Sequence, residues 1–202
     1  MPRKMQKRRN TEVRRKQIAD AARELIIKNG SEHITGRRIA KEIGITEGAI
    51  YRHFKSKRDI LSFLIEDIEA NLVADIERGI TSGATPLQVI DNTMKSHISS
   101  IEQRRGVTFL VIAEIISLGD KKLNRQASEV LNRYKGRIRD TILEGIRSGE
   151  IRDDVAPETA AILLSATIQG LVNQWALSNY SFSLEESYLS LWRILREAVI
   201  RK

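Results

Sequence analysis

TGRRIAKEIGITEGAIYRHFKSK, residues 35–57, decides how this chain is read. Ile39, Ala40 and Ile43 recur at helical spacing after Thr35, whose hydroxyl suits a helix N-cap. Gly44 lets the backbone turn sharply, and Ile45 is placed to plug the space between two helices. Thr46 can cap the next helix, residues 46–54, with Ala49, Ile50 and Phe54 on its buried side. That leaves Glu47, Gly48, Tyr51, Arg52 and His53 for the outer side. A helix fits the major groove of B-DNA, and the second helix of a helix-turn-helix enters it by its N-terminal residues. Gly48 costs about 1 kcal/mol of helix stability, which close approach of the backbone to another molecule would explain. Thr35, Thr46 and Lys57 all stand at helix starts, where backbone N–H groups and the helix dipole favour phosphate.

Charge supports this reading. Residues 1–60 hold 17 Lys and Arg against 7 Asp and Glu, whereas residues 61–202 hold 17 against 19. The whole excess of the +8 net charge therefore lies in the front of the chain. A basic front with a near-neutral rear is the footprint of a modular nucleic-acid binder. Arg38 and Lys41 read as solvated charges that add to the nonspecific field. Residues 1–10, MPRKMQKRRN, are either a flexible arm reaching DNA or a solvated basic tail.

Helical periodicity extends outward in both directions. A first helix from Thr11 carries Ile18, Ala21, Ala22, Leu25 and Ile26 and is expected to stop at Asn29-Gly30. Ser56-Lys57-Arg58-Asp59 resembles a capping box and opens a long fourth helix with Leu61, Leu64, Ile65, Ile68, Leu72 and Ile76. Thr85-Pro86 starts a helix with proline in its first turn. Further helices are predicted at 107–118, 123–146, 157–177 and, after a second capping box at Ser183, 184–200. The fold expected is all-α with about nine helices. A three-helix head, residues 1–57 with its 1–10 basic arm, joins through the fourth helix to a rear domain, residues 58–202.

Composition narrows the function classes. With 41% hydrophobic and 30% charged residues the chain reads as globular and not disordered. It has no cysteine, so disulfides and thiolate metal sites are excluded. Its three histidines, at 33, 53 and 97, show no metal spacing, and no phosphate loop or activated nucleophile is recognisable. Catalytic residues, metal and cofactor are therefore expected to be none. No run reaches about 18 uninterrupted apolar residues, and no apolar stretch follows the basic N-terminus. A cytoplasmic protein without membrane association is expected. The rival reading is a basic helical scaffold or membrane-surface protein, but Gly44-Ile45-Thr46 breaks the continuous amphipathic face it would need.

Thr35, the Gly44 turn, Thr46, Gly48, Ile50-Tyr51, His53-Phe54 and Ser56-Lys57 together resemble the TetR family of one-component transcriptional regulators, over Ile18 to Leu61. The resemblance implies a homodimer on a pseudo-palindromic operator in double-stranded DNA, most often a repressor released by a small-molecule effector. It places Tyr51, Lys57, Thr35 and Thr46 on phosphates. It places Arg37, Glu47, Gly48 and Arg52 where family members touch base edges or adjacent backbone. Glu47 either accepts from a cytosine amino group or steadies the helix N-terminus. His53 is either a DNA-facing residue or an ordinary surface histidine.

The rear domain is less legible. Helices 157–177 and 184–200 are apolar enough to pair with their symmetry mates in a dimer, and also to bury against the helix at 123–146. Glu114 interrupts the apolar run VTFLVIAEIISL and must be paired, at an edge or held for a ligand. His97, Gln169, Asn173 and Trp175 are the other candidate ligand contacts. A mainly apolar pocket with a few polar anchors favours a lipophilic or amphipathic effector.

Overall fold

The computed structural model describes residues 3–29 and 34–201 and, among these, nine helices and no strand. They are α1 (Arg3–Asn29), α2 (Gly36–Glu42), α3 (Glu47–Tyr51), α4 (Lys57–Gly79), α5 (Pro86–Gln103), α6 (Val107–Leu118), α7 (Lys121–Arg147), α8 (Pro157–Leu177) and α9 (Leu184–Val199). The chain divides into two compact units. The first holds the residues up to Ile68 together with Val107–Ala127; the second holds Glu69–Gly106 and the residues from Ser128 onward.

In the first unit α1 begins at Arg3, eight positions before the expected Thr11. The intervening Lys, Arg, Gln and Met residues are good helix formers, and no breaker separates them from the apolar stripe. The side chains of residues 1–10, on which a DNA-reaching arm depends, lie outside the described residues, as does Gly30. Ile18, Ala21, Ala22, Leu25 and Ile26 are buried as the spacing requires. They face a core shared with Ile39 and Ala40 of α2, Ile50 of α3, Leu61, Leu64 and Ile65 of α4, and Val111 and Ile115 of α6. Phe54 closes this core, edge-on to Phe63 at 5.6 Å between ring centroids.

Short helices need strong ends, and these have them. Thr35 Oγ1 accepts from Arg38 N at 3.2 Å, and Thr46 Oγ1 from Ala49 N at 3.3 Å. Gly44 turns α2 off with a φ of +67°, and Ile45 N donates back to the Ala40 carbonyl at 2.9 Å. Ile43 and Ile45 are only half-buried, so Ile45 is not the plug its hydrophobicity suggested. The α2–α3 turn is tight enough for Ala40, Ile50 and Phe54 to fill the core without it. The α4 box is a variant form. Ser56 Oγ accepts from Asp59 N at 3.2 Å, while the Asp59 carboxylate takes the N–H of Lys55, one residue further out than in a standard box.

In the second unit α5 starts with a complete capping box between Thr85 and Gln88, with Pro86 in the first turn. Ile90, Met94, Ile98 and Ile101 of α5 are buried, as are Ile138 and Ile142 of α7, Leu164 and Ile168 of α8, and Tyr188 and Trp192 of α9. Tyr188 donates to the Asp91 carboxylate at 3.0 Å, and Glu102 Oε1 accepts the Leu184 N–H at 2.9 Å. Helices α8 and α9 keep an apolar outer face: Ile162, Leu163, Leu177 and Ile194 are all more than half exposed. By length and mean hydropathy α8 is also apolar enough to cross a membrane, a property that a count of uninterrupted apolar residues misses.

Candidate nucleic-acid interface

The caps and the Gly44 turn hold α2 against α3, and Glu47, Gly48, Tyr51 and Arg52 stand on the outer side that spacing leaves for them. Thr35, Arg37, Thr46, Glu47, Gly48, Tyr51 and Arg52 are all exposed on it. An open recess between the two helices is lined by Thr35, Arg37, Arg38, Ala40, Lys41, Ile45 and Glu47. A Cβ on Gly48 would meet nothing within 4 Å, so packing inside the protein does not explain that glycine. The Tyr51 ring reaches back across the turn instead. A Cβ on Gly36 would lie 3.0 Å from the Tyr51 hydroxyl, so Gly36 makes room for it at the start of α2.

His53 is only part-exposed. Its Nδ1 is buried and has no hydrogen-bond partner among the described residues. Burial first, and then the charges of Arg14, Arg52 and Arg15, hold its pKa below the ordinary imidazole value. Three guanidinium groups acting on one imidazole mark this part of the surface as positive. Arg15 itself is stacked, its guanidinium 4.9 Å from the Phe54 ring centre and 4.6 Å from that of Phe63.

Lys57, expected to clamp a phosphate, is ion-paired within the protein. Its Nζ is 2.5 Å from Glu114 Oε1, on α6 of the same unit. This also answers what the carboxylate at 114 does on an apolar face: it is 7% exposed and ion-paired. Next in line, Arg58 pairs with Asp120, whose other carboxylate oxygen caps α7 by accepting from Lys122 N and Leu123 N.

The remaining proposed ligand contacts are not gathered at one place. Gln169 and Asn173 are exposed on α8, and Trp175 is buried edge-on to Tyr180. His97 is buried against Asp75, a residue that spacing did not single out, with Nδ1 3.0 Å from Asp75 Oδ2. The other Asp75 oxygen accepts from Ser96, Ser100 and Arg78. Burial pushes the Asp75 carboxyl up, but the His97 bond and charge, with Ser100 and Arg78, outweigh it and leave the pKa below the usual carboxylate value. The Tyr134 ring lies against His97, and its buried hydroxyl has no hydrogen-bond partner among the described residues. Burial, then the Asp75 charge, raises that phenol far above its ordinary pKa. The signal for Asp75 was present in its register, three residues after Leu72 and seven after Ile68 on the buried stripe of α4.

A capped helix-turn-helix with an outward α3, a cationic rim and an exposed glycine defines a DNA-binding head on an all-helical protein, the class of a one-component transcriptional regulator. Residues 18–62 match the model of the bacterial regulatory proteins of the tetR family, and residues 66–198 match that of the YsiA-like protein C-terminal region. The chain belongs to the TetR family of transcriptional regulators, with an N-terminal DNA-binding domain and a C-terminal ligand-binding domain. It is 27% identical over 186 residues to the fatty acid metabolism regulator protein of Bacillus subtilis, covering 92% of this chain and 95% of that one. It is 26% identical over 184 residues to the nucleoid occlusion factor SlmA of a Marinomonas species, covering 91% and 93%. Among solved structures, the regulator FadR from Bacillus subtilis in complex with stearoyl-CoA matches with a TM-score of 0.79 at 27% identity, over 89% and 96% of the two chains. The family match disfavours the scaffold and membrane-surface reading.

Proposed function

We propose that this chain is a homodimeric repressor that grips a pseudo-palindromic operator with α2 and α3 and is released by a long-chain fatty acyl-CoA. It acts in the cytoplasm, where its DNA is, and by binding alone, without catalysis. The observation that carries the effector class is the near-full-length likeness, at 27% identity, to a regulator solved with stearoyl-CoA. The second unit is compatible with an acyl chain. An apolar crevice there is lined only by hydrophobic side chains, among them Leu87, Ile142, Leu164 and Trp192. Its free space is about 370 Å³, a volume that includes room open to solvent. Ligand sites span roughly 300–1,000 Å³, so an acyl tail has to widen it.

The dimer reading rests on α8 and α9. Much of the apolar length of α8 is not buried within one chain: Ile162, Leu163 and Leu177 lie bare, as does Ile194 on α9. Apolar faces of this kind call for a partner, and a two-fold pairing of the last two helices supplies one. Within the head, Tyr51, Thr35 and Thr46 hold phosphates, Arg37, Gly48 and Arg52 approach the bases, and Glu47 stands at the mouth of α3.

The near-equal likeness to a nucleoid occlusion factor favours one second reading, in which DNA is bound but no acyl-CoA releases it. Fluorescence anisotropy of a bound duplex, titrated with stearoyl-CoA and separately with free CoA, separates the two. Release by stearoyl-CoA alone supports the repressor. Retention of the duplex at saturating stearoyl-CoA refutes it and leaves the second reading standing.

A further inference from the structure

We infer that Glu114 is a built-in competitor for DNA phosphate: it holds Lys57 in the free protein and so sets the head's affinity for DNA. The inference rests on the proposed DNA-binding function of the head and on the phosphate contact that the family resemblance implies for Lys57. Its basis is the asymmetry of the pair. Glu114 is fixed in the core face of α6 at 7% exposure, whereas the Lys57 side chain is 33% exposed. The amine sits on a flexible four-carbon stem and can swing; the carboxylate cannot follow. Lys57 also occupies the first position of α4, where backbone N–H groups already favour an anion. Phosphate and Glu114 therefore bid for one ammonium group. Handing Lys57 to DNA strips a buried carboxylate of a charge-compensating partner, which opposes binding. The neighbouring Arg58–Asp120 pair repeats the arrangement, but Asp120 also caps α7, so its removal would damage a helix end. Glu114 is the cleaner place to break the competition.

The test uses the full-length protein, a random-sequence duplex and a salt titration of wild type, Glu114→Gln, Lys57→Ala and the double variant. Nonspecific binding is nearly all electrostatic, and log affinity falls by about 0.9 per neutralised phosphate for each unit of log salt. Glu114→Gln is expected to bind more tightly at low salt and to steepen the slope by about 0.9. Its advantage over wild type then shrinks about 3.5-fold between 50 and 200 mM salt. In the Lys57→Ala background the same change should give no gain. Lys57→Ala alone should leave the wild-type slope nearly unchanged, because Glu114 already withholds that contact. Should the Gln variant fold poorly by circular dichroism, Glu114→Met keeps the volume and repeats the test. A gain of equal size without Lys57, or no gain with it, overturns the inference. The wild-type affinity tests the DNA-binding head itself, so the two ideas fail separately.

Discussion

Replacing Asp75 with Asn removes one charge and one acceptor from the most buried polar centre described in the second unit. Asp75 is 1% exposed and receives His97, Ser96, Ser100 and Arg78. The asparagine oxygen can keep the two serine hydroxyls, but its amide nitrogen turns a donor toward either Arg78 or His97. Breaking a buried pair from one side costs about 3–5 kcal/mol, and each charged hydrogen bond about 1.5–3. Arg78 is more than half exposed and relaxes into water, which puts the expected loss near the lower end, about 3 kcal/mol. For a chain of this size that lowers Tm by roughly 6–12 °C. The pH dependence follows from the depressed folded pKa. The stabilisation is fully present above the unfolded carboxyl value of about 3.9 and is lost as pH falls through the lower folded value. Urea unfolding followed by circular dichroism should therefore show the full gap between the two proteins at neutral pH and a narrowing gap below about pH 4. A loss under about 1 kcal/mol at neutral pH, or a gap that does not narrow in acid, refutes the assignment of Asp75 as the paired charge of this centre.

Further outcomes concern His53, Arg52, Gly79 and Ile194. A phosphate near His53 reverses the depression of its pKa, so duplex binding should take up a proton and tighten as pH falls through about 6.5; His53→Gln should flatten that profile, and an unchanged profile removes His53 from the interface. In the free protein the sign is opposite, since a depressed histidine makes the unfolded chain bind more protons and stability falls below about pH 6.5. Arg52→Ala should change which base is preferred at one position of a selected site, by about 1–3 kcal/mol, whereas a uniform loss across all duplexes would make Arg52 a phosphate contact. Gly79→Ala sets a methyl 2.7 Å from Thr93 N and 2.9 Å from its Cα, backbone atoms that cannot step aside, and should cost about 1–3 kcal/mol in urea unfolding; a neutral result would contradict this close α4–α5 approach. Ile194→Glu on the bare face of α9 should shift the protein from dimer to monomer in sedimentation, and a dimer that persists places the interface elsewhere.

The helices were legible because local rules govern them. Apolar stripes such as Ile18 to Ile26 and caps such as Thr35, Thr46 and Ser183 act within four residues, and the structure bears them out. The exposure of Tyr51, Arg52 and Gly48 followed from the same spacing, because Ile50 and Phe54 claim the opposite side. Pairings across the chain were not legible. Glu114 was recognised as anomalous, yet nothing within its own helix says that Lys57, 57 positions away, answers it. Asp75 passed unnoticed because its partner lies 22 residues off on α5, although its position on the buried stripe of α4 was visible. Ile45 misled because hydrophobicity does not say which side of a turn a side chain takes.

Selection from a pool of random duplexes, with the wild-type protein and the Tyr51→Ala variant in parallel, addresses the DNA-reading head itself. The wild type should enrich a two-fold symmetric motif whose half-sites are spaced by about one helical turn or a multiple of it. Tyr51→Ala should enrich it weakly or not at all. A wild-type pool that stays random at moderate salt would contradict the reading of α2 and α3 as a sequence-specific DNA contact.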